Sequence, residues 1–232
     1  MKILKEETDE LYKKYDLLLD YVILFEPDYQ GIDSHQEAAI AFLEYENDRW
    51  YQWSKRIKPV PKPVPFLEFV HKKWVQQKMT DKSSMMTFRE YFRERRSLKR
   101  RVCLYDLVKD RVESDIVYTD WTSFDHIHDY PIHLNKHRML PKPMDFEEMF
   151  QPESFYEGLF FNTPSQTVTT KEGFLELNDT LFPNKENLIA YSWNNSWSSY
   201  FSLGREWWGA YLWTIYDPIE KRFVVIGAST SS

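Results

Sequence analysis

Ten aromatic side chains crowd one short stretch toward the end of the chain: Tyr191, Trp193, Trp197, Tyr200, Phe201, Trp207, Trp208, Tyr211, Trp213 and Tyr216. Rings at that density must be buried together, cover a groove or form a binding surface, because each carries a large apolar area with a defined packing geometry. The fold is therefore expected to be built around this segment. Residues 188–193 and 199–203 read as strands, followed by a stronger pair at 210–216 and 222–228 that is rich in β-branched and aromatic residues. Asp217, Pro218, Ile219, Glu220 and Lys221 supply the hairpin loop between that last pair. Both parities of the final two strands are largely apolar. The sheet is thus predicted to hold one aromatic face in the core, with the other partly covered by helices.

Those helices are read from the first half. Leu4, Leu11, Tyr15, Leu18, Leu19 and Val22 recur at spacings near three, four and seven, which predicts one helix ending before Pro27. Ser34 and Glu37 form a capping box for a second helix, whose apolar side is Ala38, Phe42, Leu43, Trp50 and Trp53. Phe66, Val70 and Trp74 indicate a third. Thr87 and Glu90 start another, which carries Phe88, Phe92, Leu98, Val102 and Tyr105. Between the second and third, Pro59, Pro61, Pro63 and Pro65 lack backbone donors and predict a stiff extended spacer in preference to a ligand for a proline-binding domain. Pro131, Pro141, Pro143, Pro152 and Pro164 break the centre into short elements and structured loops. The expected class is α+β: a helical N-terminal half packed on a C-terminal, mainly antiparallel sheet. Residues 1–232 read as a single compact domain with a proline-rich connector at 59–65.

Composition narrows the function classes. Only six glycines are present and none sits in a Rossmann or Walker arrangement, so a nucleotide-dependent enzyme is not the default. Cys103, the single cysteine, lies between Val102 and Leu104 and reads as a core side chain. One cysteine cannot form an intramolecular disulfide, a multi-cysteine zinc site or an iron-sulfur cluster within one chain. A formal net charge of -6 opposes indiscriminate attraction to phosphate polymers. Glu6 and Glu7 interrupt the place where a signal peptide needs its apolar run, and no apolar stretch approaches membrane-spanning length. A soluble cytoplasmic protein is expected, so the sequons at Asn178 and Asn194 are read as accidental.

Four of the six histidines, His126, His128, His133 and His137, share one segment with Asp125 and Asp129. Neutral imidazoles and carboxylates suit a divalent transition metal such as zinc, iron or manganese, and an extended His126-x-His128 pair would point both rings to one side. The spacing matches no specific zinc signature, so surface and loop-stabilising roles take precedence for most of these residues. On the metal reading, the four histidines would supply ligands. Asp125 and Asp129 would ligate, orient an imidazole or accept a proton from activated water, which makes hydrolysis the natural chemistry.

Arg89, Arg93, Arg96 and Arg100 recur along one side of a predicted helix, an arrangement open to nucleic acid or an acidic protein. No helix-turn-helix spacing, RNA-binding aromatic signature or zinc finger accompanies them. Salt bridges to acidic segments are the simpler account, and neither nucleic acid nor a membrane is an expected partner. Adjacent Trp207 and Trp208 cannot both point into one layer of a strand, and Trp197 lies between polar Asn195 and Ser198. These three are the expected interface residues. The leading expectation is a protein-binding or regulatory domain with a protein partner or a second copy of itself. The alternative is a small metal-dependent hydrolase using residues 125–137.

Overall fold

The computed structural model describes residues 1–15, 17, 19–56, 115–124, 130–151, 154–162, 170–202, 204 and 209–229, with the backbone alone at 54–56 and 162. Met1–Arg49 and Ser114–Ser232 form one compact unit, and Trp50–Glu113 belong to another. The described elements of the first run β1 (Lys2–Ile3), α1 (Lys5–Tyr15), β2 (Asp20–Phe25), α2 (Ile32–Arg56), β3 (Val117–Tyr118), β4 (His133–Leu134), β5 (Pro141–Met144), α3 (Phe155–Asn162), α4 (Lys171–Leu181), β6 (Ile189–Trp193), β7 (Ala210–Asp217) and β8 (Arg222–Ser229), with the last turns of α2 passing into the second unit. Six strands make one antiparallel sheet in the order β1-β2-β8-β7-β6-β5, and β3 and β4 form a separate parallel ribbon. The fold is α+β.

The strongest sequence expectation, the final hairpin, is the centre of this sheet. Trp213 stands opposite Ile226 and Ile215 opposite Val224, so period-two alternation sends these four residues to one face. That face packs with Tyr21 and Ile23 against Leu11 and Tyr15 of α1, Leu159 and Phe160 of α3, and Phe174, Leu177 and Leu181 of α4. The opposite parity, Leu212, Tyr216, Phe223 and Val225, packs with Val22 and Leu24 against Ala38, Ala39, Phe42 and Leu43 of α2. Both faces are covered, which is why both parities of β7 and β8 are apolar. In the loop, Asp217 Oδ1 accepts the Ile219 and Glu220 N–H groups at 2.9 and 3.1 Å, closing the turn.

Three local expectations are corrected. The first helix ends at Tyr15, and Asp20–Phe25 is a strand paired to β8 along its full length. The helical spacing of Leu19 and Val22 is incidental, because aromatic and β-branched residues 21–23 favour the extended chain and both their faces find a core. Ser34 does not open α2, which starts at Ile32 after Gly31 at φ 65. Instead the Ser34 hydroxyl accepts the Gln30 N–H at 2.9 Å from inside the first turn. Ser199–Phe201 is a short 3-10 helix and not a strand, since the Ser198 hydroxyl caps it by accepting the Tyr200 N–H at 3.2 Å.

The β5 edge of the sheet and the stretch of β2 that β1 leaves uncovered are closed by different means. At β5, Leu140 donates its N–H to Asn194 Oδ1 at 2.8 Å and accepts the Asn194 N–H at 3.2 Å, so Leu140, Lys142 and Met144 aim their backbone at β6. The intervening outward positions are Pro141 and Pro143, which have no N–H to offer another strand. At β2, the outward N–H groups of Ile23 and Tyr21 are taken by side-chain oxygens of α1: Thr8 Oγ1 at 3.1 Å and the Tyr12 phenol at 2.7 Å.

Candidate functional site

Asp125, His126, His128 and Asp129 lie outside the described residues, as do Trp207, Trp208, Arg89, Arg93, Arg96, Arg100, Cys103 and the connector at 59–65. Trp197, expected at an exposed edge, is 0% exposed. Its indole N–H donates to the Asn194 carbonyl at 2.7 Å and its ring meets Phe201 edge-on at 5.3 Å. Polar neighbours in sequence misled here because Asn194 and Ser198 are themselves turned inward to satisfy backbone groups, leaving the indole to fill the core. Trp197 is not a surface contact.

His133 and His137 lie on and just after the β3–β4 ribbon. Asn135, between them, is buried; its side chain donates to the Trp121 carbonyl at 3.0 Å and accepts the His137 N–H at 3.0 Å, tying two loops together. The His133 backbone is held on both sides, its N–H given to Ser199 Oγ at 2.9 Å and its carbonyl receiving Ser198 Oγ at 3.0 Å. On this clamp the His133 ring stacks on Trp121 with centroids 5.0 Å apart and planes 10° from parallel. His137 faces solvent.

The stack forms one end of an exposed ledge. Trp121 is 49% exposed and Tyr118, on β3, is 52% exposed. Tyr118 carries the Lys136 ammonium over its ring at 4.8 Å and donates its hydroxyl to Glu44 Oε1 at 3.5 Å. Partial burial, reinforced by the Glu44 carboxylate, raises its phenol pKa. Exposed Leu140 follows in the chain, just before β5. The ledge offers two aromatic faces with a cation over one of them and a carboxylate at its phenol, which is chemistry for stacking and hydrogen bonding.

A second constellation is half-buried, with Glu46 covered and Arg49 partly open to solvent, and has almost no trace in the sequence. Arg49 on α2 reaches Glu46 Oε1 at 2.7 Å, Asp20 Oδ1 at 3.4 Å and the Tyr12 phenol oxygen at 3.1 Å, and Tyr200 donates to Asp20 Oδ2 at 2.7 Å. Two carboxylates thus share one guanidinium. Burial, aided by the Asp20 charge and opposed by Arg49, holds Glu46 well above the usual carboxylate range, and burial raises Asp20 as well. The only trace in sequence is the i, i+3 spacing of Glu46 and Arg49; Asp20, Tyr12 and Tyr200 arrive from three other elements. Every charged group in this cluster has an internal partner, so its arrangement is that of a clamp.

His35 forms a third. It is 0% exposed, with Nδ1 2.8 Å from Thr214 Oγ1 and Nε2 3.0 Å from the Tyr29 hydroxyl, while Trp193 Nε1 donates to the same Thr214 oxygen at 3.0 Å. Burial lowers its pKa from 6.5 to about 4, so the ring is neutral at pH 7.

Among the described residues, no three His, Cys, Asp or Glu side chains come together so as to hold a metal ion, and no helix is long and apolar enough to cross a membrane. Compared with known proteins, the chain matches no family model, no curated protein and no solved structure.

Proposed function

We propose that the protein is a binding or regulatory domain that engages a protein partner through the Tyr118–Trp121 ledge. The observation that carries this reading is the half-exposed Trp121 ring held flat on His133, whose backbone is clamped at both its N–H and its carbonyl. A solvated tryptophan without such support would lose side-chain freedom on binding; this one has already been oriented. Trp and Tyr are the side chains that dominate binding energy when a partner desolvates them, and Lys136 adds a charge able to discriminate between partners. This reading puts the aromatic contact on the histidine segment; Trp197 is buried, and Trp207 and Trp208 lie outside the described residues.

The test compares proteins recovered with the wild type, with Trp121→Ala, with Tyr118→Ala and with Phe155→Ala, an exposed aromatic on α3 that serves as the control. A partner retained by wild type and control and lost by both ledge variants, each first shown to be folded, supports the reading. Loss of about 2 kcal/mol of binding is the expected scale for a tryptophan anchor. Identical recovery across all four would end it.

A further inference from the structure

The β3–β4 ribbon is covered along β4 and open along β3. On its far side β4 gives the His133 N–H to Ser199 Oγ and the Asn135 N–H to the Trp197 carbonyl, and Leu134 bridges Ser198. Toward β4, β3 commits its odd positions: the Val117 N–H goes to the Ile132 carbonyl at 2.8 Å and the Thr119 N–H to the Leu134 carbonyl at 2.9 Å. Backbone groups alternate in direction along a strand, so the Tyr118 N–H and carbonyl point away from the ribbon. Neither has a partner among the described residues, and β3 is the outer strand of its sheet with Tyr118 exposed. Such a row of unpaired backbone groups is a template for another extended chain.

Resting on the ledge as the binding face, we propose that the partner is recognised as an extended, basic segment that adds antiparallel to β3. One incoming residue opposite Tyr118 exchanges both backbone hydrogen bonds with it. Its two neighbours then stand opposite Val117 and Thr119. Val117 registers with His133, so these two side chains share a face, and the His133 ring is the one that carries Trp121. The neighbours' side chains therefore meet the Trp121 stack, which selects β-branched or aromatic residues there. Charge sets the ends of the segment. Asp115 and Asp120 bracket β3, both exposed and neither in an ion pair among the described residues. Antiparallel pairing puts the residue two before the central one opposite Asp120 and the residue three after it opposite Asp115, where lysine or arginine complements each carboxylate. Lys136 comes from the turn after β4 and lies over the Tyr118 ring, on the face shared by the central residue, which is accordingly neutral.

The probe is a capped hexapeptide with lysine at both ends, valine at the second and fourth positions and threonine at the third and fifth, titrated into the isotope-labelled full chain and followed by amide NMR. Binding should shift the Tyr118 amide and slow its exchange at least about tenfold. N-methylation of the third residue, whose amide faces Tyr118, should weaken binding about tenfold, whereas the same change at the second residue, whose amide faces away, should leave it nearly unaltered. Trp121→Ala should weaken the unmodified peptide. Equal binding of the two N-methylated peptides overturns strand addition, and if Trp121→Ala still weakens binding the ledge itself stands. The N-methylation pattern retained with no effect of Trp121→Ala supports strand addition and removes the ledge. Absence of binding, or equal binding of a peptide with glutamate at both ends, overturns the basic occupant.

Discussion

His35 Nδ1 stands 2.8 Å from Thr214 Oγ1, joining the first turns of α2 to the middle of β7 through a ring with no exposed surface. Its surroundings are the rings of Tyr29, Tyr191 and Phe223 and two hydroxyls, none of which offers a negative charge to an imidazolium.

Acid should therefore destabilise the fold through this residue. The unfolded chain takes up a proton near pH 6.5 while the folded imidazole resists until about 4, so the contribution is fully present above 6.5 and is lost as pH falls through that window. The difference corresponds to at most roughly 3 kcal/mol. Urea denaturation of wild type and His35→Asn between pH 7 and 4 should show a steeper fall for the wild type; parallel curves would contradict the assignment.

Arg49 balances Glu46 and Asp20, and its removal should cost more than removal of Glu46. Arg49→Met leaves two covered carboxylates without their cation, a loss of about 2 kcal/mol at pH 7 once the partial exposure of the guanidinium is discounted. Glu46→Gln removes a charge that burial already disfavours and should cost less. Because Glu46 is raised in the fold, its own contribution is present below its unfolded pKa and is lost as pH rises through the folded value. The Arg49→Met penalty should accordingly shrink toward pH 4. An equal penalty at both pH values would show that packing of the arginine stem, and not charge, sets the effect.

Gly227 on β8 lies opposite Asp20, and a Cβ there would stand 2.5 Å from the Tyr200 phenol oxygen and closer still to the Phe42 ring. Glycine is needed for this close approach, which lets Tyr200 reach the Asp20 carboxylate. Gly227→Ala should destabilise by about 1–3 kcal/mol through overpacking. The same change made in Tyr200→Phe should cost less, because one of the two clashes is gone; chemical denaturation of the four proteins in the cycle measures the coupling.

Asn178 is 1% exposed, donating to the Phe174 carbonyl at 2.7 Å and accepting from the Tyr156 hydroxyl at 3.0 Å, with Tyr21 a further 3.1 Å along the chain of hydroxyls. This sequon is spent on the core. Asn178→Ala should lose about 2 kcal/mol by removing the acceptor of the Tyr156 phenol and the donor to the Phe174 carbonyl. Adding Tyr156→Phe should cost little more, and full additivity by urea denaturation would deny the contact.

Some of this was legible in advance. The β7–β8 hairpin, β6 and the apolarity of both parities follow from residue types at period two, because a strand buried on both faces has nowhere to place polar groups. The helix at Lys5–Tyr15 and the long α2 were visible through their apolar spacing, although Ser34 was assigned the wrong end of its turn. In the ledge, the clustering of His133 and His137 is visible in the sequence, but no spacing marks Trp121 as the exposed ring.

The sequence by itself determined that water would be driven from the C-terminal rings and that helices would cover the sheet they form, since apolar area and its periodicity are local quantities. Tertiary structure decided between the helical spacing and the strand-favouring residue types of 20–25, turned Trp197 inward while Trp121 stays out, and brought Tyr12, Asp20, Glu46, Arg49 and Tyr200 together. Each of these depends on which groups from distant elements satisfy a buried hydrogen bond or charge. That pairing is made in three dimensions and leaves no spacing for a linear pattern to record.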